Sequence, residues 1–240
     1  SARAAPFHLD DDALAWVRRT REGMSTDDKL RQLFVLASVG DDADQAERLM
    51  ALRPAGLQRM VTGNFERAWH TSRRALECAA IPPLLAGDLE GGGHSFGCET
   101  ALPNPLALAA ANDLELSARV VRAAAREGRA LGFNWSFTPV CDISAQFTSA
   151  IVGTRSYGSD VATIAGQARV HVQALQAEGL AATAKHWPGE GFDARDQHLV
   201  TTINPQSMAE WRASFGRLFT EMIDAGVMAV MAGHIALPAW

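Results

Sequence analysis

The stretch TAKHWPGEGFDARDQHLVTT, residues 183–202, puts two histidines, a lysine and three acidic residues around a Pro-Gly-x-Gly turn. Asp196 and His198 are two positions apart. In extended chain, alternate side chains share a side, so the carboxylate can accept from one ring nitrogen, orient the imidazole and support its protonated form. Lys185 and His186 close the strand-like run LAATA. A cation and an imidazole at the end of a buried strand suit hydrogen bonding to a hydroxylated ligand. Acid–base chemistry on a sugar is the reading that uses all of them.

Two other chemistries fit less well. His186, Asp196, His198 and His234 could form a His/Asp metal site, but the Lys185 cation would repel the ion. No His-x-His pair follows the first strand, so no metal is expected. Gly189-Glu190-Gly191-Phe192-Asp193-Ala194 fits the loose dinucleotide fingerprint. No helix follows it, however, and Glu190 would set a like charge beside a phosphate. The triplet Gly91-Gly92-Gly93 lacks the Lys-Ser/Thr of a phosphate loop. No cofactor is implied.

The elements that must position these residues repeat. MALRPAGLQRMV, GRALGFNWSF, LQAEGLAATA and MIDAGVMAVMA each run from helix through glycine to an apolar stretch. Glycine past a helix end takes the left-handed conformation that closes the last turn. The apolar runs do not alternate, as in strands buried on both faces. Strands are predicted at about 33–38, 56–61, 83–88, 133–140, 180–185 and 227–232, with helices capped by Asn64, Asp113 and Ser159. The long polar segments 89–105, 141–158 and 186–205 each follow a strand. This is the asymmetry of an α/β (β/α)8 TIM-type barrel, whose site lies at the C-terminal strand ends. A doubly wound sheet would need a glycine-rich first turn, which is absent. About six of the eight βα units are expected here. Residues 1–240 then form a single catalytic barrel domain, C-terminally incomplete, that a C-terminal segment or a second chain would complete.

Strand ends carry Asp88, Glu90, Asp142, Lys185, His186 and His234, and the loops beyond carry Arg155, Asp196 and His198. Plainer roles exist for some. Arg155 could bridge Asp160, and His234 could be hydrogen-bonded within the core. With 240 residues, 48% hydrophobic and 20% charged, the chain can bury a sizeable core. A formal charge of −5 without basic clusters excludes a nucleic-acid partner. No apolar run reaches the roughly 20 residues of a membrane span, and no signal peptide is visible. Three scattered cysteines, Cys78, Cys98 and Cys141, suit buried free thiols better than a disulfide framework.

Five ordered segments resemble glycoside hydrolase family 3, and within it the bacterial β-N-acetylglucosaminidase branch. They are Asp88-Leu89-Glu90-Gly91-Gly92, Phe133 to Asp142 (FNWSFTPVCD), Gly153 to Gly158 (GTRSYG), Lys185 to His198, and Met231 to Pro238 (MAGHIALP). The resemblance implies a retaining hydrolase acting through a covalent glycosyl-enzyme, on terminal β-linked N-acetylglucosamine of cell-wall fragments or chitooligosaccharides. It makes His198 the general acid/base and Asp196 its partner, with Asp88, Arg155, Lys185, His186 and His234 as substrate-binding residues. A family 3 β-glucosidase or β-xylosidase, a glycoside phosphorylase and a non-catalytic sugar-binding fragment are the alternatives. Two departures stand out. Gly93 occupies a position where the family usually has Arg. The family's Asp nucleophile follows the MAGHIALP segment, so it is expected beyond residue 240. The cytoplasm and the periplasm of a bacterium are both open as its compartment.

Overall fold

A computed structural model describes residues 2–92, 97 and 100–240. Its helices and strands run α1 (Asp11–Glu22), α2 (Thr26–Arg31), β1 (Val35–Val39), α3 (Ala43–Met50), β2 (Gly56–Met60), α4 (Phe65–Glu77), β3 (Leu84–Gly87), α5 (Pro105–Ala111), α6 (Leu114–Ala130), β4 (Trp135–Ser136), α7 (Val161–Ala177), β5 (Thr183–Trp187), β6 (Thr202–Ile203), α8 (Met208–Trp211), α9 (Arg217–Asp224), β7 (Ala229–Ala232) and β8 (Ile235–Ala236). The chain divides into two compact units. One comprises residues up to Gly87 with Gly128–Trp135; the other comprises Asp88 and the residues that follow it, Thr100–Glu127 and Ser136–Trp240.

In the first unit β1, β2 and β3 pair in parallel, with Val35 opposite Gly56 and Gly56 opposite Leu84. β4 completes a sheet in chain order. Ala46, Met50, Leu57, Ala75 and Leu85 form the core between this sheet and helices α3 and α4. Gly56 sits where a Cβ would lie 1.8 Å from the Leu84 carbonyl oxygen, so it serves the sheet and does not close a helix. α3 ends at Met50, and in the turn beyond it Arg53, whose N–H donates to the Met50 carbonyl, takes the left-handed conformation at φ 60°. The other three repeats follow the predicted pattern, with Gly132, Gly179 and Gly226 at φ 90°, 84° and 83°.

In the second unit the chain after β4 runs beside β5. Thr183 and Lys185 donate to the carbonyls of Thr138 and Pro139, and Cys141 donates to the carbonyl of Lys185. The regular strand is two residues long, shorter than the predicted 133–140. Pro139 has no N–H to give a ladder, and the pairing continues only as an isolated bridge from Val140 to Lys185. β5 pairs in parallel with β7, and the register shifts between Lys185 and Trp187. The two-residue strands β6 and β8 form a further parallel pair that the apolar pattern does not announce. β7 is only half buried along its length, unlike the doubly buried strand expected there.

Helix α7 buries Ile164, Ala168, Val172 and Leu175, one stripe at helical spacing. It packs on α9, whose Leu218, Phe219 and Met222 are buried. Asn64 and Asp113 cap α4 and α6 as predicted. The cap of α7 is Asp160 in place of Ser159, because one carboxylate oxygen takes both the N–H and the hydroxyl of Thr163 at 2.8 Å. Parallel strands, in chain order from β1 to β4 and then paired β5 with β7 and β6 with β8, together with the helices make this an α/β fold of the TIM type. Among the described residues no helix is long and apolar enough to cross a membrane. Cys141 is buried and Cys78 half-buried, both as free thiols. Cys98 and Gly93 lie outside the described residues.

Candidate active site

All the candidate residues belong to the second unit. The last residues of β5 carry the centre of the site. Lys185 is only 3% exposed, and its Nζ donates to Asp88 Oδ1 at 2.5 Å and contacts Glu90 Oε1 at 2.7 Å. Arg155, in the turn Gly153–Arg155, completes the cluster. Its Nε and Nη2 donate to the two Glu90 oxygens at 2.7 and 2.8 Å. That fork-to-fork geometry is the strong form of an ion pair. Burial pushes the Glu90 carboxyl up. The hydrogen bonds from Arg155 and the charges of Lys185 and Arg155 outweigh it and hold the group at about 2. Two cations thus face two carboxylates. Glu90 is enclosed, while the Asp88 side chain keeps 38% exposure. The open carboxylate, held by a buried ammonium, can accept from a pair of ligand hydroxyls.

A second layer fixes His186. Its Nδ1 is 2.6 Å from Asp142 Oδ2, and its backbone N–H and that of Glu190 donate to Asp142 Oδ1. Burial raises the Asp142 pKa, but the charge and hydrogen bond of His186 and the two N–H groups lower it further. An ionised Asp142 sets Nδ1 as the protonated nitrogen and leaves Nε2 as the one able to meet a ligand. Glu190 accepts from the Thr202 hydroxyl at 2.9 Å. Its pKa is raised by burial, which the Thr202 bond only partly offsets. Gly191 permits this compact loop. It lies at φ 120°, and a Cβ there would stand 1.8 Å from the Ile143 carbonyl oxygen.

The loop then presents the second Asp–His pair. His198 Nδ1 is 2.7 Å from Asp196 Oδ1, which also accepts the His198 backbone N–H at 2.8 Å. The Asp196 carbonyl takes the N–H groups of Leu199 and Val200 and closes the turn. The Asp196 pKa is lowered, first by the His198 N–H, against a burial effect, then by the ring's hydrogen bond and charge, and last by the Arg155 charge. The imidazole is 61% exposed, its carboxylate 28%. The arrangement can hold a proton on a steered, solvent-open imidazole and transfer it.

The chain matches the glycosyl hydrolase family 3 N terminal domain over residues 25–240. It belongs to that family. It is 43% identical over 238 residues to a beta-N-acetylglucosaminidase/beta-glucosidase of Cellulomonas fimi, covering 99% of this chain and 42% of that protein. Among solved structures it is similar to one titled beta-glucoside phosphorylase BglX bound to 2FGlc. The TM-score is 0.91 at 28% identity, over 99% of this chain and 43% of that one. It is also similar to a glycoside hydrolase family 3 beta-N-acetylglucosaminidase from Paenibacillus sp. str. FPU-7. There the TM-score is 0.82 at 29% identity, over 90% of this chain and 43% of that one. The family 3 domain described here thus spans less than half the length of each of these relatives.

In this family 3 domain Arg155 and Lys185 meet on Glu90, Asp88 joins them through Lys185, and His186 lies next in the chain on its own carboxylate. Asp196 and His198 pair with each other, and among the described contacts no hydrogen bond joins either to the Lys185 cluster. Arg155 bonds Glu90 and not Asp160, which is engaged as the α7 cap. His234 is exposed and contributes its backbone N–H, which donates to Gln197 Oε1. The residues absent from the predicted site are Glu90, Asp142 and Gln197. Glu90 and Asp142 stood at strand ends, where their position was the signal. Gln197 carried none. Among the described residues no group of three or more His, Cys, Asp or Glu side chains could hold a metal ion.

Proposed function

We propose that this domain holds the sugar and supplies the acid/base of a retaining glycoside hydrolase. The substrate is terminal β-linked N-acetylglucosamine of cell-wall fragments or chitooligosaccharides. The observation that carries the reading is the Asp196–His198 pair, 2.7 Å apart with its ring open to solvent. It stands on the loop that follows the buried Lys185–His186 strand end. The similarity to a beta-N-acetylglucosaminidase/beta-glucosidase and to a family 3 beta-N-acetylglucosaminidase supports the substrate class.

Asp196 accepts from Nδ1, so Nε2 is the nitrogen that moves the proton. In the first half-reaction Nε2–H protonates the glycosidic oxygen as the bond from C1 to that oxygen breaks. A carboxylate takes C1 as a glycosyl ester. In the second, neutral Nε2 removes a proton from water as its oxygen attacks C1 and frees the carboxylate. An imidazole acid adds no second negative charge beside that nucleophile. Asp88, Lys185, Arg155 and His186 hold the ring hydroxyls meanwhile. No residue of 1–240 is assigned as the nucleophile. The reading seeks an Asp beyond residue 240, with residues 1–240 as part of one catalytic barrel domain.

The test is turnover by the full-length gene product of 4-nitrophenyl β-N-acetylglucosaminide and β-glucoside. The reading expects at least about tenfold higher kcat/KM for the first, on the order of 1.4 kcal/mol of transition-state preference. Turnover of the glucoside alone would sink it. A second reading, transfer to phosphate, is favoured by the similarity to a beta-glucoside phosphorylase at TM-score 0.91. An uncharged or cationic acid tolerates an incoming dianion. Release of a glycosyl 1-phosphate, with acceleration by inorganic phosphate, separates it from hydrolysis.

A further inference from the structure

The loop bearing Asp196 and His198 is fastened by the residue between them. Gln197 is only 3% exposed, while Asp196 is half-buried and His198 exposed. Its Oε1 accepts the backbone N–H of His234 at 2.9 Å, just past the end of β7. Gly233 makes room for it. A Cβ there would stand 2.6 Å from Gln197 Oε1 and 3.1 Å from the Cβ of His186. The amide therefore lies beside His186, and it is the one side-chain hydrogen bond that fastens the dyad segment to the strand end among the described contacts. The same side chain carries a cost. Its Nε2 is buried with no hydrogen-bond partner among the described residues, and a buried unpaired donor is unfavourable. Glutamine is thus a poor choice for stability here and a good one for reach.

We infer that Gln197 is a positioning residue for the acid/base, a latch that seats the Asp196–His198 loop on the Gly233–His234 backbone. The inference rests on the proposed role of His198. Its chemistry is specific: Gln197 touches no substrate and sets where the imidazole stands. Replacement should therefore harm only the step that needs the proton.

Gln197→Met fills the same volume without the amide. It removes both the latch and the unpaired donor, and leaves the half-buried His234 N–H unpaired in exchange. Gly233→Ala drives a methyl against Oε1 and breaks the latch; the same methyl meets Ile235 Cδ1 and the Cβ of His186, so this variant is scored by the ratio of its losses on the two substrates. Both variants are made in the full-length gene product and assayed for kcat/KM on a phenyl glycoside, whose leaving group needs protonation, and on a 2,4-dinitrophenyl glycoside, whose leaving group does not. The expected loss is roughly 3- to 10-fold on the phenyl substrate, the scale of one hydrogen bond, and under about 2-fold on the dinitrophenyl substrate. In a His198→Ala background the Gln197→Met loss should vanish. The Gln197→Met protein should also melt no lower than the parent, which a merely structural role would not allow. Equal losses on both substrates, or a loss that persists without His198, would overturn the latch. A His198→Ala protein with no leaving-group preference would remove the acid role itself. That outcome is visible in this one variant, before Gln197 is considered.

Discussion

Glu90→Gln is the substitution whose effect can be worked out most fully. Glu90 is enclosed, bonded by both Arg155 nitrogens and contacted by Lys185. Its pKa falls from the ordinary 4.5 to about 2, with burial opposing and the Arg155 bonds and the two cations prevailing. That displacement corresponds to roughly 3 kcal/mol in favour of the ionised form. Because the folded-state value is depressed, the stabilisation is complete above the unfolded pKa and is lost as pH falls toward about 2. Glutamine mimics the protonated group at every pH. The variant should therefore be roughly 3 kcal/mol less stable at pH 7, or about 6–12 °C lower in Tm for a chain of this size. Linkage leaves roughly 1.4 kcal/mol of the wild-type advantage at pH 3, so the gap should shrink to less than half. Thermal melts of both proteins at the two pH values measure it. A Tm within about 2 °C of wild type at pH 7 would refute the claim that the Arg155 and Lys185 contacts outweigh the burial of Glu90, since breaking a buried pair costs about 3–5 kcal/mol. A gap that stays constant between the two pH values would refute the titration.

Other outcomes follow from the same contacts. His171 is buried, bonded to Tyr157 OH at 2.8 Å and Thr138 Oγ1 at 2.9 Å, and burial lowers its pKa from 6.5 to about 4. Its neutral form is favoured by folding, so urea stability should decline as pH falls from about 6.5 to about 4 and level off below; in His171→Gln this slope should flatten. Tyr157→Phe leaves His171 Nδ1 without its partner and should cost about 1–3 kcal/mol by urea titration, without changing which substrate is preferred. Asp196→Asn removes the charge that supports the imidazolium. It should lower kcat/KM on a phenyl glycoside by about 10- to 100-fold, the scale of about 1.5–3 kcal/mol for a charged hydrogen bond, with a much smaller loss on a dinitrophenyl glycoside.

The main strands were legible because apolar runs bounded by glycine leave few alternatives. The same rule misassigned Gly56, where the sheet's close approach to Leu84 requires glycine and the left-handed residue of the turn after α3 is Arg53. β6 and β8 were invisible because two residues carry no periodicity. The loop residues Lys185, His186, Asp196 and His198 were legible from type and spacing. Their partners were not. Arg155 had a carboxylate five residues away in Asp160, and only the fold brings Glu90 within reach, 65 residues distant in sequence. Gln197 was hidden for a different reason. An uncharged amide between two ionisable groups announces nothing, and its importance comes from the space that Gly233 leaves open.

The most direct test of the whole account is the Brønsted dependence of log kcat/KM on leaving-group pKa. It is measured on a series of aryl β-N-acetylglucosaminides with the full-length gene product and its His198→Ala variant. If the imidazole of His198 delivers the proton, the parent shows a shallow slope and the variant a steep one, the two converging at the most acidic phenols. Parallel lines, with the variant displaced by the same factor at every leaving group, would contradict it.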